Sequence, residues 1–222
     1  LRVVKNFKYL GAQINTGCRL ANEEMDERFG RATVLAGRLA ELGIGYAARA
    51  KVIVTKLHPM AMFGVENASP GEKAIAKYTA QITRCIAGNN TRGDMDIKYA
   101  GLEENRKELD PVIRILVHRV MAMRREAAKS GEIRSRVEEI ARKYRAWKEA
   151  RKEIEGEDGK EKEAPHPVKG DRSRWLDTVE PRGPVGLLMQ SLECIGAELA
   201  EGMTIVMDGE QALAIMDTPY QA

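Results

Sequence analysis

Asp94 and Asp96, two residues apart in the run Arg92-Gly-Asp-Met-Asp96, could in principle hold magnesium, because hard cations take carboxylate oxygens. Isolated aspartates in a loop more often cap turns or face solvent, and no metal site is assigned to them. The Arg-Gly-Asp tripeptide in the same run is taken as chance. His58 has the chemistry of a general acid or base, but no nucleophile or paired carboxylate stands near it in sequence. It is expected to be a structural residue at a helix end. Cys18, Cys85 and Cys194 are odd in number and far apart, and His58, His118 and His166 are equally scattered. Neither zinc nor a disulfide framework fits such spacings, and reduced thiols in an intracellular protein are expected. A glycine-rich phosphate loop, a nucleophile elbow and a zincin motif are all missing from the sequence, and Gly43-Ile-Gly45 reads as a turn. No catalytic residue is assigned. Trp147 and Trp175 could stack on bases, but Trp147 falls on an apolar helical stripe and is expected in a core.

Charge distribution says more. Between Arg106 and Lys152 stand fifteen Lys or Arg against seven Asp or Glu, although the whole chain carries a net charge of only +3. Arg124, Arg125, Arg134, Arg136, Arg142, Lys143, Arg145, Lys148 and Arg151 fall on two adjacent predicted helices. Such a face suits a polyanion, since each phosphate neutralised releases condensed counterions. Glu–Arg pairs on a solvated helix would account for it equally well. Arg28, Arg31, Arg38, Arg49, Lys51 and Lys56 add a second basic group nearer the N-terminus, which tips the balance toward nucleic acid.

These residues need elements to carry them. Residues 2–15 read as a strand or hairpin around Lys5-Asn6 and Gly11. Asn22-Glu-Glu opens a helix whose apolar stripe is Met25, Phe29, Ala32, Leu35, Leu39 and Leu42, ending near Gly43. A second helix is predicted over Tyr46 to Phe63, kinked or divided at His58-Pro59. Ser69-Pro-Gly-Glu72 has the pattern of a capping box with proline in the first turn. Ile75, Tyr78, Ile82 and Ile86 then make a buried face ending at Gly88-Asn-Asn. Residues 89–104 read as a connector. Asp110-Pro111 opens a helix with Ile113, Leu116, Val117, Val120 and Met121 inside, stopped by Gly131. Ile133, Val137, Ile140, Tyr144 and Trp147 make the next stripe. Residues 153–174 have almost nothing to bury and read as a flexible linker. Pro184 opens a last helix with Leu188, Leu192, Ile195 and Leu199, followed by a small hairpin turning at Asp208-Gly209.

Hydrophobic residues at 43% and charged residues at 31% suit a mainly α-helical chain. Aromatics at 5% leave the core to Leu, Ile, Val, Met and Ala. No apolar run is long enough to span a bilayer, no signal peptide is expected, and no membrane partner is assigned. The opening strand, with so little chain before it and no initiator Met, is expected to belong to a piece of a longer protein.

The segment Phe-Lys-Tyr-Leu-Gly-Ala-Gln-Ile, Phe7 to Ile14, resembles the palm hairpin that follows the catalytic strands of non-LTR (LINE-like) retrotransposon reverse transcriptases. The stretches ERFGRATVLAGRL and ARAKVIVTKLHPMAMFGVE follow in the order of that family's thumb, and GPVGLLMQSLECIGAEL is similar to a post-thumb region of some such elements. The likeness covers Val3 to Glu66 well and the remainder loosely. It implies a helical, thumb-like bundle with an N-terminal β-hairpin and a small C-terminal hairpin. The implied divisions are a palm end over 1–17, a thumb-like unit over 18–104, a basic helical extension over 105–152, a linker over 153–180 and a C-terminal helix and hairpin over 181–222.

The resemblance makes Lys8, Tyr9, Leu10 and Gly11 a primer-grip-like motif. Ordinary strand packing explains Tyr9 and Leu10 as readily. Arg28, Arg31, Lys51 and Lys56 become contacts to the template–primer backbone, with Arg124, Arg125, Arg142 and Lys143 as further nucleic-acid-binding candidates from the charge pattern. The family's polymerase aspartates, in a Tyr-x-Asp-Asp strand, do not occur in this sequence, and two-metal phosphoryl transfer requires them. The chain is therefore expected to be inactive alone and to hold no cofactor, while the parent RNA-directed DNA polymerase would use Mg2+. Expected partners are an RNA template–DNA primer duplex and the rest of the palm and fingers. The rival expectations are a noncatalytic helical adaptor that binds protein, a general nucleic-acid-binding helical protein, and a small enzyme whose site the sequence hides.

Overall fold

A computed structural model of the chain describes residues 6–9, 12–15, 23–87, 106–156, 183–207 and 211–216. The acids Asp94 and Asp96, the connector around them, Cys18, His166, Trp175 and the body of the expected linker lie outside these residues. The chain divides into two compact units, Leu1–Arg119 and Val120–Ala222. The expected thumb-like segment 18–104 falls within the first, and residues 105–152 are shared between the two.

In the first unit, strands β1 (Asn6–Tyr9) and β2 (Ala12–Asn15) form an antiparallel two-stranded hairpin in which Lys8 stands opposite Gln13 and Tyr9 opposite Ala12. Helix α1 (Glu23–Glu41) follows, with Glu23, Glu24 and Asp26 in its first turn, where carboxylates favour the positive end of the helix dipole. Its buried stripe is Met25, Phe29, Ala32, Ala36 and Leu39. Leu35 and Leu42, expected inside, are exposed, because the stripe continues through Ala36 and turns both leucines outward.

The predicted 46–63 helix is continuous but not uniform. Helix α2 (Tyr46–Val52) passes through a π-helical turn, Ile53–Leu57, into α3 (His58–Met62). Pro59 has no N–H to give to Thr55, and its ring would collide with that carbonyl in a regular helix. The wider π turn directly before it lets the chain stay helical instead of breaking.

Helix α4 (Glu72–Ala87) buries Tyr78, Thr79, Ile82, Thr83 and Cys85 against α1. Ile75 and Ile86 are half-buried at the margin. The capping box expected at Ser69 does not form. Its hydroxyl lies 3.4 Å from the Pro70 carbonyl, and the Gly71 N–H instead donates to Asp26 Oδ1 of α1 at 2.6 Å. A Cβ at Gly71 would sit 3.1 Å from Asp26 Oδ2, so glycine is what permits this approach.

Short helix α5 (Arg106–Leu109) precedes α6 (Pro111–Ala127). Asp110 caps α6 as predicted, its Oδ1 accepting from the N–H groups of Val112 at 2.9 Å and Ile113 at 3.4 Å. The buried face differs from the expected one. Ile115, Arg119 and Met123 are buried, while Val117 is exposed and Ile113, Leu116, Val120 and Met121 are half-buried. Arg119 accounts for the rotation, because its guanidinium reaches the carbonyls of Val65 and Ala68 and carries its stem into the interior.

In the second unit, α7 (Gly131–Gly156) starts at Ser130, whose hydroxyl accepts the Ile133 N–H at 3.1 Å. The helix runs four residues into the segment expected as linker. Val137, Ala141 and Tyr144 are buried, whereas Ile133, Ile140 and Trp147 are half-buried. Helix α8 (Gly183–Glu193) packs on α7 and is apolar nearly all round, with Val185 to Met189 and Leu192 buried.

The last helix is shorter than predicted. Ile195 lies in a turn and Leu199 in strand β3 (Ala197–Ala200), and β3 joins β4 (Thr204–Met207) and β5 (Gln211–Ala214) in a three-stranded antiparallel sheet, β3-β4-β5. Gly196, at φ 70°, ends the helix and lets the chain reverse into β3. Met207 pairs with Gln211, so the expected two-residue turn is a connection over 208–210. The β3–β4 link holds Gly202 at φ 69° and Met203 at φ 57°. A non-glycine residue in the left-handed region is strained, and complete burial of the Met203 side chain together with an Ile215 N–H bond to its carbonyl holds it there.

Candidate nucleic-acid interface

His58 is a buried acid–base side chain in the first unit, and its surroundings make it structural. Its ring is fully enclosed, with Nδ1 2.9 Å from the Tyr78 hydroxyl and Nε2 3.3 Å from the Leu109 carbonyl. The carbonyl can only accept, so Nε2 carries the proton and Nδ1 accepts from Tyr78. Burial lowers the His58 pKa to about 4, with Arg114 and His118 adding to the shift against the opposing Leu109 carbonyl. The neutral imidazole ties α3 to α4 and to the end of α5. The Tyr78 ring stacks edge-on with Phe29 at 5.3 Å, completing a packed column.

Two thiols lie among the described residues. Burial raises the Cys85 thiol pKa above its ordinary value, opposed by Arg49, so the thiol stays protonated and inert. Cys194 is exposed and free. Among the described residues, no three His, Cys, Asp or Glu side chains gather as a metal site, and no helix is long and apolar enough to cross a membrane.

The cations fall into three groups. The first holds the fold together. Arg28 donates to the Phe63 carbonyl at 2.7 Å and to Glu24 at 2.8 Å, and its guanidinium lies 5.3 Å from the centre of the Phe63 ring. Arg49 donates to the carbonyls of Leu42 and Cys85, clamping the C-terminal ends of α1 and α4 where the helix dipoles favour a cation. Arg119 holds the 63–68 turn, and Arg124 donates to the Met216 carbonyl within the second unit.

The second group is paired with carboxylates. On α7, Arg136 meets Glu132 at 3.1 Å, Lys143 meets Glu139 at 2.8 Å and Lys148 meets Glu193 at 2.7 Å. The Lys143 hydrogen bond holds the exposed Glu139 carboxyl below its ordinary pKa. Glu193 also accepts from the Tyr144 hydroxyl, which locks α8 to α7. Arg142 and Arg145 border a cleft of about 500 Å³ between α7 and the β3–β4 link, but Glu138, Glu139 and Glu201 line the same cleft and offset them.

The third group is exposed with no ion pair among the described residues: Arg31 and Arg38 on α1, Lys51 and Lys56 on the 46–62 helix, Lys73, Lys77 and Arg84 on α4, Arg125 on α6, and Arg134 and Arg142 on α7. Arg31 and Arg38 share the outer face of α1 with Glu27 and Glu41. Lys51 and Lys56 have no acidic neighbour on their own helix, since the sequence holds no Asp or Glu between Glu41 and Glu66.

Of the sequence-derived candidates, the structure therefore leaves Arg31, Lys51, Lys56, Arg125 and Arg142 exposed. It turns Arg28 and Arg124 inward to backbone carbonyls and pairs Lys143 with Glu139. Lys8 and Tyr9 sit on β1, and Leu10 and Gly11 lie outside the described residues. The residues that sequence reasoning passed over are Lys73, Lys77 and Arg84. Their signal was the scarcity of acids rather than an abundance of bases: residues 42–93 contain only Glu66 and Glu72 as carboxylates. No protein family, characterised protein or solved structure was found to match the chain.

Proposed function

We propose that the chain is a noncatalytic portion of a retrotransposon RNA-directed DNA polymerase, and that it holds a template–primer duplex by its sugar-phosphate backbone. The observation that carries the reading is the helix over 46–62, which the π turn keeps continuous and which presents Lys51 and Lys56 to solvent with no carboxylate on it. The exposed residues Ala47, Ala48 and Thr55 are small and would let a duplex approach that helix closely. A hairpin that carries Lys8 and Tyr9 on its first strand precedes α1 in the chain, which supports the reading of those residues as a primer grip. Contacts of this kind position a duplex without reading its bases.

Binding of a labelled RNA–DNA primer–template duplex, followed by fluorescence anisotropy across a salt titration, tests the reading. Affinity should fall steeply with salt, and the double variant Lys51→Glu with Lys56→Glu should weaken it. Absence of binding at low salt refutes the proposal. A second reading, a protein-binding helical adaptor, is favoured by one observation. Val34, Leu35, Leu42, Ile44 and Tyr46 are all exposed along α1, the connection after it and the first residue of α2. On that reading, replacing Leu35 and Leu42 by Ser would abolish partner binding and leave duplex affinity unchanged.

A further inference from the structure

Beyond Glu72, helix α4 carries a solvent face made only of lysine, arginine and alanine. Lys73, Ala76, Lys77, Ala80, Arg84 and Ala87 are all exposed. At about 100° per residue, Lys73, Lys77 and Arg84 lie within roughly 40° of one another around the helix and span about 16 Å along it. After Glu72 in the first turn, the helix contains no carboxylate. None of the three cations has an ion pair among the described residues. The contrast with α7 is chemical: that helix has more cations, but carboxylates are spread along it, and two of the cations, Arg136 and Lys143, are paired with carboxylates four residues earlier.

We infer that this face of α4 is a docking surface for the sugar-phosphate backbone of a nucleic-acid duplex, bound without sequence preference. Charge complementarity argues for that occupant. A single strand presents about one phosphate per 3.4 Å of duplex axis, so a 16 Å row of three cations passes several. The alanines between the cations keep the helix surface low enough for the backbone to reach the ammonium and guanidinium groups. The helix is also fixed before binding. Tyr78, Ile82 and Cys85 anchor it on the inner side, Asp26 holds the Gly71 N–H before its first turn and Arg49 holds the Cys85 carbonyl in its last. Only the side chains lose freedom on docking. This inference rests on the reading of the chain as a nucleic-acid-binding protein and names a face that reading does not contain.

The test uses the full chain, a fluorescein-labelled RNA–DNA duplex and the triple variant Lys73→Gln, Lys77→Gln, Arg84→Gln, whose fold is checked by circular dichroism. Three lost phosphate contacts should reduce the slope of log affinity against log salt by about 2 to 3, and affinity at moderate salt should fall by about tenfold or more. A control variant, Arg136→Gln with Lys148→Gln, removes paired cations and should leave the slope unchanged. If the triple variant binds with the parent affinity and slope, the inference is overturned while the proposed function stands. If the parent chain does not bind the duplex, or binds only vesicles containing phosphatidylserine, both fall.

Discussion

Acidification should loosen the first unit through His58, and the size of the effect follows from its enclosure. In the unfolded chain this imidazole titrates near 6.5, whereas in the folded chain its pKa is lowered to about 4. Above pH 6.5 both states are neutral at this position, and the neutral ring contributes its two hydrogen bonds in full. Between pH 6.5 and 4 the unfolded chain binds a proton there that the folded chain does not, so stability falls as pH falls. At about 1.4 kcal/mol per pH unit, the accumulated loss by pH 4 is about 3 kcal/mol. Urea unfolding at a series of pH values from 7 to 4, followed by circular dichroism, measures it. Carboxylates titrate over the lower part of the same range, so the comparison is with His58→Gln, which removes the titrating group. The variant should be less stable at neutral pH and should show a pH dependence flatter by most of that 3 kcal/mol. Equal pH slopes for parent and variant, or a His58 ring that titrates near 6.5 by NMR in the folded protein, would refute the reasoning.

Other interactions give sharper single-site outcomes. Arg119→Met should destabilise the first unit by about 2 kcal/mol in urea unfolding, because it strips donors from the Val65 and Ala68 carbonyls. Asp26→Ala should cost about 1 kcal/mol by removing the acceptor of the Gly71 N–H, and hydrogen exchange at Gly71 should accelerate. In the second unit, Tyr144→Phe should cost about 1 kcal/mol through loss of the Glu193 bond, read from the thermal midpoint. Gly202→Ala should cost a similar amount, about 1 kcal/mol, since alanine resists a φ of 69°.

The places where sequence and structure diverge share a cause. Helix positions came from apolar periodicity, a local property, and the α1, α4, α6 and α7 stretches carry it plainly. Which residue of a stripe is deepest depends on the neighbour it meets, and so Ala36 displaced Leu35 and Arg119 entered the interior. The expectation of a long final helix failed for a related reason. Leu188, Leu192, Ile195 and Leu199 keep helical spacing, but Gly196 allows the chain to turn and β4 offers Leu199 a ladder partner in Ile205. The candidate interface was legible only in part. Lys51 and Lys56 were visible as bases, whereas the α4 face needed burial to show which side of the helix remains outside.

By itself the sequence determined a mainly helical chain, helix starts at Glu23 and at Asp110-Pro111, the structural character of His58, and a surplus of cations. Periodicity and capping are written within a few residues of chain, so they can be read without a partner. Only the tertiary structure decided which cations are available. A guanidinium and a carbonyl far apart in sequence, such as Arg28 and Phe63 or Arg49 and Cys85, meet because helices pack, and charge counting along the chain cannot see that meeting. The same packing that enclosed those arginines left Lys73, Lys77 and Arg84 facing water.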